Sequence, residues 1–155
     1  MKEQGMPPHR RLLTVFLPVL IAVFIILSGV LPASAETLVI TIRDIRNSDG
    51  DIRIAVYNSA DSFLVDGQVA ASRTLSAKEG EVEVVFANLQ PGTYAAAALH
   101  DENGSGDFDT NFIGIPREDY GFSNGAQAGL GSPDFEDASM RLGRITSETD
   151  LSLSY

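Results

Sequence analysis

The 155-residue sequence contains no cysteine and no tryptophan, and it has only two histidines. The missing thiols exclude disulfide staples, thiol nucleophiles and zinc–thiolate sites. Basic residues are also scarce, with 11 Lys and Arg against 21 Asp and Glu. Such a surface repels nucleic acid and anionic lipid, so no nucleic-acid partner is expected. No internal repeat, basic patch or phosphate-binding glycine motif occurs.

One long apolar run is present. Lys2, Arg10 and Arg11 precede Leu12 to Val30, and Leu31-Pro32-Ala33-Ser34-Ala35 follows. A positive start, an apolar middle and an Ala-x-Ala exit are the parts of a secretory signal peptide cleaved before Glu36. Residues 1–35 are therefore expected to be a leader, and residues 36–155 a single domain. The mature product is expected to be periplasmic or extracellular, with no stable membrane anchor. That domain carries 8 basic and 20 acidic residues, a net charge of −12. Nine of its acids fall between Asp101 and Asp137, where Arg117 is the only base.

The rest reads as strands. Leu38, Ile40 and Ile42 alternate with Thr37, Val39 and Thr41, which is strand period. Asn47-Ser48-Asp49-Gly50 reads as a hairpin turn returning into Ile52–Tyr57. A short helical turn is expected at Asp61–Leu64, an edge strand over Val69–Leu75, and a strand with one wet face over Glu81–Phe86. In Pro91-Gly92, Pro presets φ and Gly accepts φ > 0. Tyr94 then stands where Greek-key sandwiches place a tyrosine corner. Four alanines, 95 to 98, favour a helix by propensity. Their position between Pro-Gly and a Gly-rich loop argues instead for a central strand, Tyr94–His100. About 26 residues from Phe112 to Asp137 mix glycine with aromatics, which are expected to pin a long loop to the body. Phe135–Leu142 and Ile145–Tyr155 are expected to supply the closing strands. The fold class is all-β: a Greek-key, immunoglobulin-like or transthyretin-like β-sandwich with one long Gly-aromatic loop.

The chemistry concentrates in His100 to Asn111. Asp101, Asn103, Ser105, Asp107 and Asp109 alternate around Gly104 and Gly106. With Asp101 as position one, this matches the first half of an EF-hand loop, Asp107 offering its carbonyl. Phe112 occupies position twelve, where a bidentate Glu belongs, so ligands would have to come from Glu118, Asp119, Asp134, Glu136 or Asp137. Crowded oxygen ligands favour Ca2+ over Mg2+. The competing reading is that these side chains only cap turns through their own backbone. His100, alone in the mature chain, is expected to be a hydrogen-bonding anchor. Grouping it with Ser123 and one of the Asp residues as a catalytic triad finds no nucleophile-elbow motif.

Four segments carry a resemblance. They are Asn88-Leu89-x-Pro91-Gly92-Thr93-Tyr94-Ala95; His100-Asp101-Glu102-Asn103-Gly104-x-Gly106-x-x-Asp109-Thr110-Asn111; Gly114-Ile115-Pro116-x-Glu118-x-Tyr120-Gly121-Phe122-Ser123-Asn124; and Pro133-x-Phe135-x-Asp137-Ala138. Together they resemble the bacterial domain-of-unknown-function family 2141. The resemblance implies a secreted β-sandwich, related in style to transthyretin-like and carboxypeptidase-regulatory-like domains, with no assigned activity. Family members often carry Asn where this chain has Ser105, a weaker cation ligand. With one mature histidine, the activity of transthyretin-like hydrolases does not carry over. The expectation is a non-enzymatic, calcium-stabilised binding or structural module of the cell envelope, with an envelope protein or glycan as partner. The alternative is a hydrolase using His100 and carboxylates of the 100–137 region.

Overall fold

Alternation in the first strand decides the layering. In β1 (Glu36–Ile45), Leu38, Ile40 and Ile42 are completely buried, whereas Val39 and Thr41 are half-buried. The computed structural model describes residues 35–127, 131–143 and 146–154. The expected leader lies outside them, save Ala35. Among the described residues, no helix is long and apolar enough to cross a membrane.

Among the described residues, eight strands form two sheets. In the first, β1 lies between β4 (Gly80–Leu89), antiparallel to it, and β8 (Thr146–Ser152), parallel to it. In the second, β2 (Asp51–Tyr57) lies between β3 (Ala71–Ser76) and β5 (Gly92–Asp101), antiparallel to both. The far edge of β5 is shared by β6 (Tyr120–Phe122), opposite Ala97–Leu99, and β7 (Ser139–Leu142), opposite Gly92–Ala95. The core joins Leu38, Ile40, Ile42, Val84, Phe86 and Leu151 to Ile52, Ile54, Val56, Ala96, Ala98 and Leu142. Each fully buried aliphatic side chain of this kind contributes about 1.5–3 kcal/mol. The architecture is an all-β sandwich.

The expected hairpin at Asn47–Gly50 is not formed. β1 pairs with β4 and β8, and β2 with β3 and β5, so the chain arches from one sheet to the other. Both strands keep their apolar faces toward one core this way. The polar turn residues suit an arch as well as a hairpin. Asn47 Oδ1 accepts the Asp49 N–H at 2.8 Å, while Ser48 Oγ accepts the Glu79 N–H at 3.0 Å.

The alanine run is the central strand β5, its ladder satisfied on both edges. The Tyr94 hydroxyl donates to the Gln90 carbonyl at 2.8 Å, as a tyrosine corner should. Gly92 does not adopt the expected positive φ. Asn88, at φ 62°, takes the left-handed conformation before this corner, and Gly92 simply opens the strand.

The long loop is more ordered than expected. It contains β6, a 3₁₀ turn at Ser123–Gly125 and one helical turn, α1 (Phe135–Ala138), where a strand was expected to begin. Glu136 and Asp137 fall in its first turn, where the helix dipole favours acids. The strand starts only at Ser139. Of the loop aromatics, Phe122 and Phe135 pack edge-on against Phe63, and Tyr120 against Phe122. Phe112 breaks the expectation: it is 98% exposed and pins nothing. Beside β6, Tyr120 and Ser154 exchange backbone hydrogen bonds at 3.1 and 2.9 Å, stitching the second sheet to the chain leaving β8.

Candidate functional site

Strand parity sorts the acidic run into two groups at the end of β5. His100 follows Ala96 and Ala98 on the inward side, and Asp101 follows Ala97 and Leu99 on the outward side. The segment before β6 runs alongside, the His100 N–H donating to the Asp119 carbonyl at 2.8 Å.

The outward group is the predicted loop. Asp101 is buried, its two oxygens accepting the backbone N–H groups of Ser105 at 3.0 Å and Gly106 at 2.9 Å. Arg53 stands 3.6 Å from the same carboxylate. Asn103 accepts the Ser105 N–H at 2.7 Å and donates to Asp109 Oδ2 at 2.5 Å. Ser105 Oγ accepts the Asp107 N–H at 3.2 Å. These are turn-capping bonds, and Gly104 and Gly106 supply the positive φ angles that let the loop close. One later carboxylate joins them: Glu118 Oε2 accepts the Asp109 N–H at 3.1 Å. Glu118 is 4% exposed, and its Oε1 has no hydrogen-bond partner. Burial pushes its pKa up, the Asp109 N–H pulls it down, and the negative fields of Asp101, Asp109 and Glu102 raise it further. Asp134, Glu136 and Asp137 lie at and on α1 instead.

The inward group was not anticipated. Among the described residues, His100, Glu102 and Asp119 are the one set of His, Asp or Glu that brings three potential ligand atoms within 4.8 Å of one another. His100 is fully buried under the arch, with Nε2 2.9 Å from the Asp49 carbonyl. Arg46 lies across the outside, 2.9 Å from Glu102 and 3.4 Å from Asp119, and Asn47 donates to Glu102 at 2.9 Å. The Arg46 hydrogen bond holds the Glu102 carboxyl below its usual range, against the opposing effect of partial burial. The hint in the sequence was the shared parity of His100 and Glu102. Asp119 joins only through folding.

Ser123 is enclosed by its neighbours. Its hydroxyl is buried, accepting the Ala96 N–H at 2.8 Å and donating to the Ala138 carbonyl at 2.6 Å. It braces the 3₁₀ turn between β5 and α1.

A third feature lies on the outer face of the second sheet. A trough of about 580 Å³ has Ala55, Ala97 and Leu99 among its lining, with Tyr57, Phe108, Tyr120 and Phe122 as its rings. Small residues at central strand positions leave the space, and aromatic residues around it define its sides. Tyr120 packs edge-on against both Phe108 and Phe122, at 5.6 and 5.8 Å between centroids. The polar lining includes Arg53, Asp66, Ser72, Arg73 and Thr74. Burial, and then the Asp66 charge, raise the Tyr57 phenol above its ordinary range, so it stays a neutral hydroxyl.

A family model described as an uncharacterised protein conserved in bacteria (DUF2141) matches residues 40–150. The chain belongs to this family. No curated protein and no solved structure matches it.

Proposed function

We propose that the protein is a non-catalytic binding module, exported to the cell envelope, that takes a glycan along the outer face of its second sheet and is stabilised by calcium at the Asp101–Asp109 loop. The trough carries this reading. Flat rings beside a shallow floor suit the apolar faces of sugar rings, and Arg53, Asp66, Ser72 and Thr74 offer hydrogen bonds to hydroxyls. Hydrolysis of a glycoside ordinarily needs two carboxyl groups, and among the described residues Asp66 is the single one lining the trough. His100 and Ser123 are both buried and engaged with backbone, which favours binding over the hydrolase reading.

The test is a titration with soluble muropeptides, followed by amide chemical shifts. Shifts are expected at Ala55, Ala97 and Tyr120. Tyr120→Ala should weaken binding about tenfold, as loss of one aromatic anchor ordinarily does. An unchanged spectrum at saturating muropeptide would defeat the glycan assignment.

Calcium would draw on Asp101, Asn103, Ser105, the Asp107 carbonyl and Asp109, with Glu118 supplying the carboxylate that Phe112 cannot. At about ten times a millimolar-class Kd, such a site adds roughly 1.4 kcal/mol. Glu118→Gln should then change sign with conditions. Without calcium it should stabilise by about 1 kcal/mol, because a charge buried among like charges is removed. The pKa of Glu118 is raised in the folded state, so its carboxylate opposes folding at pH 7 and ceases to do so below the ordinary value of about 4.3. The gain from Gln should therefore fade at pH 4. In calcium the same variant should lose the metal's stabilisation. Melting curves in CaCl2 and in calcium-free buffer, the protein having been stripped with EGTA at pH 7 and exchanged, decide it at both pH values; identical wild-type curves would remove calcium from the proposal.

A further inference from the structure

We infer that His100, Glu102 and Asp119 form a second metal site, distinct from the calcium loop, for a zinc-class divalent ion bound through the imidazole Nδ1 and one oxygen from each carboxylate. The decisive atom is His100 Nδ1. It is completely buried and has no hydrogen-bond partner. The Asp49 carbonyl can only accept, so Nε2 carries a proton and Nδ1 is the ring nitrogen left to ligate. Nδ1 stands 3.8 Å from Glu102 Oε1, too far for a hydrogen bond. The same Glu102 oxygen already accepts from Arg46 and Asn47. Nδ1 is thus the one buried polar atom of this cluster left without a partner, and a cation between it and the carboxylates would supply one. Ligands on bonds of about 2.0–2.1 Å in a tetrahedral shell stand roughly 3.3 Å apart, so a small inward movement would complete the contact.

The surroundings have the form of a metal site's outer shell. A ligating histidine ordinarily donates its other N–H to a carbonyl, which fixes both tautomer and ring orientation. Asp49 does this from the arch. Asn47 steadies Glu102 in the same way. One imidazole with two carboxylates is a borderline nitrogen–oxygen set, better matched to zinc than to calcium, which prefers oxygen alone. In the ion's place Arg46 spans the two carboxylates from the solvent side, and its side chain is 49% exposed. Zinc would displace the guanidinium outward, where water can receive it. The site depends on neither the trough nor the calcium loop.

The experiment is calorimetric titration of the purified protein with ZnCl2, with CaCl2 in excess so that the neighbouring loop is saturated. One zinc per chain is expected. His100→Ala, Glu102→Gln and Asp119→Asn should each weaken it by at least the ~10–100-fold that even an outer-shell change costs. Arg46→Gln should tighten zinc severalfold, as expected when a half-exposed competing ion pair is lost. Because His100 is buried, its variant could fail to fold. Glu102→Gln, partly exposed and nearly isosteric, keeps the test valid, with circular dichroism confirming the fold. A flat zinc isotherm for the wild type, or one that survives Glu102→Gln and Asp119→Asn unchanged, would overturn the assignment.

Discussion

Replacing Gly121 by alanine is expected to remove about 3 kcal/mol of stability, a large share of the roughly 5–15 kcal/mol that holds an ordinary domain together. A Cβ there would lie 2.2 Å from the Ser152 carbonyl oxygen and 2.9 Å from the Leu151 side chain. Both belong to β8, so the obstacle is mainly backbone and cannot rotate away. The two sheets would have to separate along the side where Tyr120 and Ser154 are hydrogen-bonded. Overpacking without relief ordinarily costs about 1–3 kcal/mol, and the stitched backbone puts this position at the upper end. Urea melts give the measurement. Gly92→Ala is the control, its added Cβ meeting only the Tyr94 ring at 3.5 Å and the Gln90 carbonyl oxygen at 3.9 Å. It should shift stability by less than about 0.5 kcal/mol. Equal losses from the two variants would show that the close approach of β6 and β8 is not what limits the site.

Gly50→Ala is expected to be comparably damaging for a different reason. Gly50 has φ 64°, and a Cβ would fall 2.0 Å from the Asp101 carbonyl oxygen and 2.8 Å from the Glu102 backbone. The left-handed conformation alone costs an L-residue about 1 kcal/mol, and the collision adds to it. A total of about 3 kcal/mol is expected, in the range of the larger single-residue effects. The damage should be local as well as global. Moving the arch away from β5 pulls the Asp49 carbonyl off His100, so the imidazole Nε2–H should lose protection from exchange. Proton-exchange rates at His100 separate this from simple unfolding. An imidazole proton as protected as in the wild type would show that the arch does not position the histidine.

Period-two alternation made β1, β2 and β4 readable because each buries one face and wets the other. β5 was readable against its own helix propensity because Pro91 and Gly92 before it, and Gly104 and Gly106 after it, leave too little chain for a stable helix. Pairing was less accessible. Asn-Ser-Asp-Gly satisfies a tight hairpin and an arch equally, and the choice was made by β8, about a hundred residues away, taking the edge of β1. The site shows the same division. The alternate oxygens from Asp101 to Asp109 stood out because they share a loop. Asp119 and Glu118 are sequence neighbours just ahead of β6, yet one turns to His100 and the other to Asp109. Ser123 carried no signal for its bracing role, because its partners are backbone atoms of Ala96 and Ala138.

The parallel pairing of β1 with β8 also sets the order in which the chain can acquire its structure. Thr37 lies opposite Thr146, so one edge of β1 stays open until nearly all of the chain is present. Contacts of such long range are slow to form, and sandwiches dominated by them fold over milliseconds to seconds. Until then Leu38, Ile40 and Ile42 border an unpaired edge, the kind of surface on which strands from two molecules join. β2, β3 and β5 pair over shorter separations and can form first, with β5 carrying His100 and Asp101 at its end. The end of the molecule that carries His100 and Asp101 would then be assembled early, with Glu118 and Asp119 joining it once the segment before β6 docks on β5.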